Sequence, residues 1–462
     1  MKKFEGEKIF GIVRGDVVSF TGGGGKTSLI FLLAEELSRK GRVLITTTTK
    51  IYIPSEEEYE NLILAEEENL LGKKRNIDFL GRTLDMENGK LLGVDDVQLK
   101  EFIEKYDYIL IEADGSAGKS MKSWNESDPV ISKYTDKIIG VTNLDALGKS
   151  VEEGVHRYGD FCQEYGIEGD KKIDCNLMSR YIDSGKFFGS TDIEKYIFIN
   201  GVEGYERFNS ALAIVREVKL ENIILGSIRE GELYPYRKII GILLGAGLST
   251  RMGDCDKLFQ DFINKPLVSY VYENLLKINF SRKIVVAREE NSQKFFAIED
   301  KIIQKEKYKK RDFEIDKFYH LQTDNSSQGQ GYTIKIGTRF AKKIERRESG
   351  IKNSEIGYMY FTGDQPLLKY ETILTLMKEF MMGEEITLPV VDGEEYSPVI
   401  FPNSYEERLL KIKGDKGGKS IIQPEDKITR VTFQDITEFM DVDTPQELRK
   451  LEMIATNSIF LN

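Results

Sequence analysis

The residues best suited to chemistry begin with a cluster of glycines and cations: Gly245, Ala246 and Gly247, then Ser249, Arg251, Gly253 and Lys257. Glycines let backbone N–H groups close on a phosphate or a base. Arg251 carries a planar fork of donors that matches phosphate oxygens, and Lys257 adds a more compact charge. Together they suit a nucleoside triphosphate. The competing reading is an ordinary glycine turn with solvated cations.

A second phosphate pattern lies near the start. Gly22, Gly23, Gly24 and Gly25 run into Lys26, Thr27 and Ser28. Loop N–H groups and a helix N-terminus favour an anion. Lys26 can reach terminal phosphates, and Thr27 or Ser28 can ligate magnesium. The loop is atypical, because Phe20 stands where a standard P-loop has its first glycine. A flexible glycine turn is the bland alternative.

Carboxylates follow both patterns. Glu112 and Asp114 end the apolar run Tyr106–Ile111, and Asp364 ends the run Gly357–Thr362. The carboxyl end of a buried strand is where a magnesium–nucleotide enzyme needs acid groups. Turn or helix-cap duty is the alternative for each, with Pro366 opening a helix after Asp364. Asp441 and Asp443 precede Pro445: Asp443 caps a last helix, or one of the two is a second metal ligand. Gly329 and Thr333, in the segment Asn325–Gly337, either line a base pocket or belong to a polar loop. Lys413–Ser420 reads as a loop facing substrate. His156 is one of only two histidines, and a lone histidine is more often structural than catalytic. Lys119 and Lys122 either meet a phosphate or are solvated.

These residues need strands to hold them. Apolar runs at Asp16–Thr21, Arg42–Thr46, Tyr106–Ile111, Lys137–Val141, Tyr196–Ile199 and Asn222–Leu225 alternate with helical stretches such as Leu29–Lys40 and Arg207–Val218. A second series begins at Lys238–Leu244 and continues through Arg282–Ala287, Gly357–Thr362 and Ser397–Phe401. Alternation of this kind indicates mostly parallel α/β sheets. Ser55–Glu68 and Lys301–Arg311 read as solvated helix faces; the threonines before Lys50 favour a strand, with a solvated edge as the bland alternative. Gly, Pro and charged residues cluster at Gly231–Arg237, so the chain divides into residues 1–232 and 238–462.

At 462 residues the chain exceeds one typical domain, and 40% hydrophobic content can fill more than one core. A net charge of −11 argues against a general nucleic-acid binder. The three cysteines are scattered and make no disulfide framework or zinc site. The N-terminus lacks a signal-peptide core, and no run approaches a membrane span. A cytoplasmic protein is expected, without nucleic-acid or membrane partners.

In the first half, GGGGKTS, TTTTK, EADGS, VTNLDALG and VHR, in this order, resemble the YqeC family, described as accessory to selenium-dependent hydroxylases. The resemblance covers roughly residues 5–230. It implies a P-loop-like parallel sheet, with ATP or GTP as the nucleotide and a molybdenum hydroxylase apoenzyme as partner. One departure is the segment Asn200-Gly201-Val202-Glu203, where the family usually has Asn-Lys-hydrophobic-Asp.

The second half resembles the molybdenum cofactor nucleotidyltransferases of the MobA/MocA type. The matching pieces are GAGLSTRMG through Lys257, GQGYTIKIG at Gly329–Gly337, TGDQP at Thr362–Pro366, SPVIF at Ser397–Phe401, GDKGGK at Gly414–Lys419 and DVDTP at Asp441–Pro445. The resemblance implies a Rossmann-like, glycosyltransferase-A-like sheet, so that the expected whole is two three-layer α/β/α domains. It also implies transfer from an NTP to molybdopterin with Mg²⁺: Arg251 on the β and γ phosphates, Lys257 near the α-phosphate, and Asp364 with Asp441 or Asp443 on the metal. Ser397–Phe401 and Gly414–Lys419 look more like the cytidylyl branch, which points to CTP. Tyr396-Ser397-Pro398 replaces the frequent Gly-His-Pro, and Gln-Gly-Tyr-Thr follows Gly329 in place of a serine-rich segment, so the acceptor is open to difference. The alternatives are a nucleotidyltransferase for another phosphate acceptor and a non-enzymatic partner that delivers cofactor to a hydroxylase.

Overall fold

The computed structural model describes residues 4–53, 59–66, 76–85, 87, 89–126, 128–247, 256–307, 316–324, 329–348 and 355–460. The chain forms two compact units, Met1–Tyr236 and Arg237–Asn462. The segment read as a join is itself structured, because Glu232–Pro235 pairs antiparallel with Ile223–Ser227 of the first unit.

The first unit is built on a nine-stranded sheet. Val17–Gly22 lies centrally, parallel to Lys137–Asn143 on one side and Tyr108–Glu112 on the other. Successive residues of these strands enter different cores. Val18, Phe20 and Leu110 pack with Leu29, Leu33 and Leu37 of the helix Lys26–Leu37, whereas Val17, Ile109 and Ile111 pack with Leu99 of the helix Asp96–Ile103. A sheet covered on both faces reads as continuous apolar runs, which is the pattern these strands carry.

The second unit contains an eight-stranded sheet. Tyr319–Thr323, Arg282–Arg288, Lys238–Gly245 and Ile356–Thr362 are parallel neighbours. Val399–Pro402 then runs antiparallel between Ile356–Thr362 and Ile386–Val391. Ile240, Ile242 and Leu244 pack against Ile334 and Ala341 of the helix Gln330–Glu348. Both units are therefore α/β with mainly parallel sheets.

Some local expectations are corrected. Within the stretch read as a solvated glutamate-rich helix, Asn61–Leu64 is a strand parallel to Ile77–Gly81, and Ile63 is buried. The four-residue apolar run outweighs the glutamates around it. Thr46 and Thr47 are fully buried inside the sheet rather than at a solvated edge, and each hydroxyl finds a backbone carbonyl. Ile302 and Ile303 are buried within the helix Glu289–Lys307, so the basic stretch keeps an apolar face. Pro366 does not open a helix; the next one starts at Tyr370. Among the described residues no helix is long and apolar enough to cross a membrane.

Candidate functional sites

In the first unit Val17–Gly22 ends in the glycine loop, and the helix begins at Lys26. Gly22 has φ +91°, and a Cβ there would meet the Val141 carbonyl at 2.2 Å. Gly25, at φ +134°, would bring a Cβ within 2.6 Å of Asn200 Nδ2. The loop therefore needs glycine for both backbone shape and close approach. Gly23 donates its N–H to the Val141 carbonyl. The Gly24 carbonyl accepts from Asn143 Nδ2 at 3.0 Å and Asn200 Nδ2 at 2.9 Å. Two neighbouring strands thus brace the loop from their carboxyl ends.

Lys26 is buried and turned inward, donating to the Gly22 carbonyl at 2.6 Å and lying 3.2 Å from Asp114. Asp114 is fully buried. It accepts from the Gly22 N–H and from Trp124 Nε1 at 2.7 Å, and Lys122 lies 3.1 Å away. These partners use the acceptor capacity of Asp114, so its place is to hold the loop to the core rather than to receive an ion. Glu112 is different. Its Oε2 accepts from Thr27 Oγ1 at 2.9 Å, at the first turn of the helix. Burial raises the Glu112 pKa, helped by Asp114 and opposed by Lys26 and Thr27. Ser28 is exposed beside Thr27.

Lys122 is neither solvated nor on a phosphate path. It is fully buried between Asp114 and Asp128, and it donates to the Gly115 carbonyl. Arg157 also pairs with Asp128. Lys119 is bound instead to the Glu153 carbonyl. His156 sits on the short strand Val155–His156 beside Met121–Lys122. Trp124 is the only tryptophan in the chain, and nothing in its neighbouring sequence signals its bond to Asp114.

In the second unit Gly245 ends the first strand, Ala246 is buried, and Gly247 has open space where a Cβ would stand. Ser249, Arg251 and Gly253 lie outside the described residues. Beyond them Asp256 is anchored, pairing with Arg288 and accepting from Asn291 Nδ2 at 2.5 Å. This fixes the backbone from which Lys257 projects.

Lys257 Nζ lies 2.6 Å from Asp364 Oδ2 and 2.7 Å from Asp443 Oδ1. Burial works against its charge, but Asp364 and Asp443 outweigh it and raise its pKa. The helix Pro445–Phe460 does not need Asp443 as a cap. Thr444 Oγ1 accepts from the Glu447 N–H, and the Glu447 carboxylate accepts from the N–H groups of Thr444 and Asp443. Asp364 caps no helix either. Its carboxylate faces Lys257, and its Oδ1 is buried with no hydrogen-bond partner among the described residues, as is Gln365 Oε1.

A cavity of about 330 Å³ adjoins these groups, lined by Gln365, Tyr396, Ser397, Lys419, Phe439 and Asp441 among others. Tyr396 and Phe439 stack with ring centroids 5.6 Å apart. Asp441 is open to solvent on one side. Its carboxyl is raised to about 7, first by desolvation and then by repulsion from Asp364 and Asp443. Gly329, at φ +81°, packs on the second glycine loop, where a Cβ would meet Gly414 and Asp415 backbone atoms at 2.6 and 2.7 Å. The Gly331 N–H donates to the Gly414 carbonyl. Thr333 is buried within the helix and does not line the cavity.

Carboxylate oxygens and orphaned amide and carboxylate acceptors suit a hard divalent cation. Among the described residues no three or more His, Cys, Asp or Glu side chains form a metal cage.

Sheet, glycine turn, paired carboxylates and adjoining cavity all belong to the α/β second unit. Residues 241–430 match the MobA-like NTP transferase domain, and residues 18–159 match the YqeC protein family. The two matches fall in separate units of the fold, the YqeC match in the first and the MobA-like NTP transferase match in the second. It is 35% identical over 167 residues to the uncharacterized protein YqeC of Escherichia coli strain K12. That match covers 35% of this chain and 64% of the relative, just under two thirds of its length. Among solved structures, Rv0371c from Mycobacterium tuberculosis H37Rv is 17% identical with a TM-score of 0.37, covering 47% of this chain and 98% of that one. Molybdopterin-guanine dinucleotide biosynthesis protein A from Archaeoglobus fulgidus is 16% identical with a TM-score of 0.33, covering 47% and 99%.

Proposed function

We propose that the second unit is a molybdenum cofactor cytidylyltransferase, converting CTP and molybdenum-bearing molybdopterin to molybdopterin cytosine dinucleotide and pyrophosphate. The observation that carries this reading is the group Lys257, Asp364 and Asp443 beside a cavity lined in part by the Gly417–Ser420 loop. An oxygen of the acceptor's terminal phosphate attacks the α-phosphorus of the NTP, and pyrophosphate leaves. Charge grows on phosphoryl oxygens, so cations and positioning do the work. Lys257 serves that charge near the α-phosphate, and Arg251 holds the β and γ phosphates. Asp364, with Asp443 or Asp441, would hold Mg²⁺, which neutralises phosphate charge and polarises the reacting phosphorus. The Tyr396–Phe439 pair offers a planar face to a heterocyclic acceptor, and Lys419 a cation to its phosphate. CTP as donor rests on the resemblance of Ser397–Phe401 and Gly414–Lys419 to the cytidylyl branch.

For the first unit we propose a P-loop-like accessory domain that binds ATP or GTP with Mg²⁺ through Lys26, Thr27 and Glu112, and acts with a molybdenum hydroxylase apoenzyme. Pyrophosphate release, measured with each NTP in the presence and absence of molybdopterin, tests the transferase reading. Release that needs molybdopterin and is fastest with CTP is expected. Turnover with GTP above that with CTP overturns the base assignment, and failure of every NTP to release pyrophosphate overturns the reaction.

A further inference from the structure

Lys257 does more than stand near a metal position. Its ammonium bridges Asp364 Oδ2 and Asp443 Oδ1 at 2.6 and 2.7 Å. The proposed reaction gives Asp364, and Asp443 as one of its two candidate partners, to a divalent cation. Mg²⁺ binds oxygen at about 2.1 Å, so an ion bridging the pair would overlap the ammonium. Two cations in such a partly buried space also repel strongly. Lys257 and the metal are therefore mutually exclusive at these carboxylates.

The exchange is a side-chain movement. Beneath Lys257 the backbone is pinned through Asp256, which pairs with Arg288, Asn291 and the Leu258 N–H. A triphosphate provides what Lys257 needs in order to leave, namely anionic oxygens that replace both carboxylates. One set of ion pairs is exchanged for another, so the ammonium is never left buried and unpaired, which would be costly. Asp364 Oδ1 and Gln365 Oε1 remain as buried acceptors beside the exchange point.

We propose that Lys257 is a built-in counter-ion that keeps divalent metal off Asp364 and Asp443 until a nucleoside triphosphate draws its ammonium away. Metal and nucleotide then enter together, and metal alone does not load the site. This inference rests on the nucleotidyltransferase reading and adds to it an order of binding.

The test is Mn²⁺ binding to the full chain without nucleotide, followed by the electron paramagnetic resonance of free Mn²⁺. Lys257→Met and Lys257→Gln, each checked for an unchanged circular dichroism spectrum, are compared with the wild type and with Asp443→Asn alone and in combination. The lysine variants should gain a Mn²⁺ site at least about tenfold tighter than any wild-type site lost in Asp443→Asn. That gain should disappear in the double variants. A wild-type chain that already binds Mn²⁺ through Asp443 as tightly as the lysine variants overturns the counter-ion role and leaves the transferase reading standing. Absence of the site from every chain, with pyrophosphate release unaffected by Asp443→Asn, overturns both.

Discussion

The backbone N–H of Val442 donates to the carbonyl of Asp364 at 3.0 Å. This single bond brings two distant segments together and sets the Asp441–Asp443 segment beside Asp364, just past the end of the strand Ile356–Thr362. Gln365 Nε2 strengthens the link by donating to the Phe439 carbonyl at 3.1 Å. The three carboxylates are thus placed by backbone pairing and not by their own attraction, which is repulsive.

Asp364→Ala should remove pyrophosphate release and leave the fold intact. The side chain caps no helix, and it faces Lys257, which retains Asp443. Loss of a metal-holding carboxylate should slow the reaction about a thousandfold or more. Initial rates at saturating magnesium, set beside the thermal unfolding curve, measure both halves of this expectation. A near-normal rate would remove Asp364 from the mechanism.

Gly329→Ala should damage the second unit more than a glycine substitution in an open turn. At φ +81° an L-residue is strained, and its Cβ would press on the Gly414–Asp415 backbone, which has no flexible end to yield. A loss of about 1–3 kcal/mol is expected from urea unfolding. Gly247→Ala, where the space is open, is the control. Equal stability of the two variants would mean that the loops shift at little cost.

Strand-end chemistry was legible in the sequence because apolar runs stop at polar residues: Thr21 before the glycines, Ile111 before Glu112 and Thr362 before Asp364 all mark the carboxyl ends of sheet strands. What was not legible is which side chain answers which. Asp114 and Glu112 look equivalent as letters, yet one is enclosed by Trp124, Lys26 and Lys122 while the other faces Thr27. Capping of the last helix by Thr444 and Glu447, and not Asp443, is a choice of rotamers. The meeting of Gly329 with Gly414 depends on long-range packing, which local spacing does not encode.

His156 should leave a pH signature on the stability of the first unit. Its pKa is lowered, first by burial and then by repulsion from Arg157 and Lys122, against the smaller attraction of Asp128 and Asp114. The unfolded imidazole takes its proton near 6.5, above the folded one. In that window the unfolded chain binds more protons, so this stability is present above 6.5 and lost as pH falls through the folded value. His156→Gln has no such charge to gain. The difference in melting temperature, variant minus wild type, should therefore become more positive from about pH 8 to about pH 5. A difference that does not change with pH would show that the imidazole titrates alike in both states.

Lys26→Ala should abolish nucleotide binding in the first unit and leave steady-state nucleotidyl transfer unchanged. Each unit has its own sheet, its own buried core and its own carboxylates at strand ends: Glu112 in one, Asp364 and Asp443 in the other. Lys26 lies on the strand–loop–helix of the first sheet, and its contacts stay with Gly22, Glu112 and Asp114. Removing its ammonium leaves Asp114 with Lys122, Trp124 and the Gly22 N–H, so the loop keeps most of its bracing while losing the cation beneath it. Nucleotide binding by the full chain would fall from two sites to one, read by equilibrium dialysis with ATP, GTP and CTP in parallel. A unit of this size can bury a sufficient core alone, so residues 237–462 expressed separately should also transfer nucleotide. If Lys26→Ala lowers transfer in the full chain, or if the separate second unit folds but stays silent until the first is added, the first unit is an obligatory activator of the second.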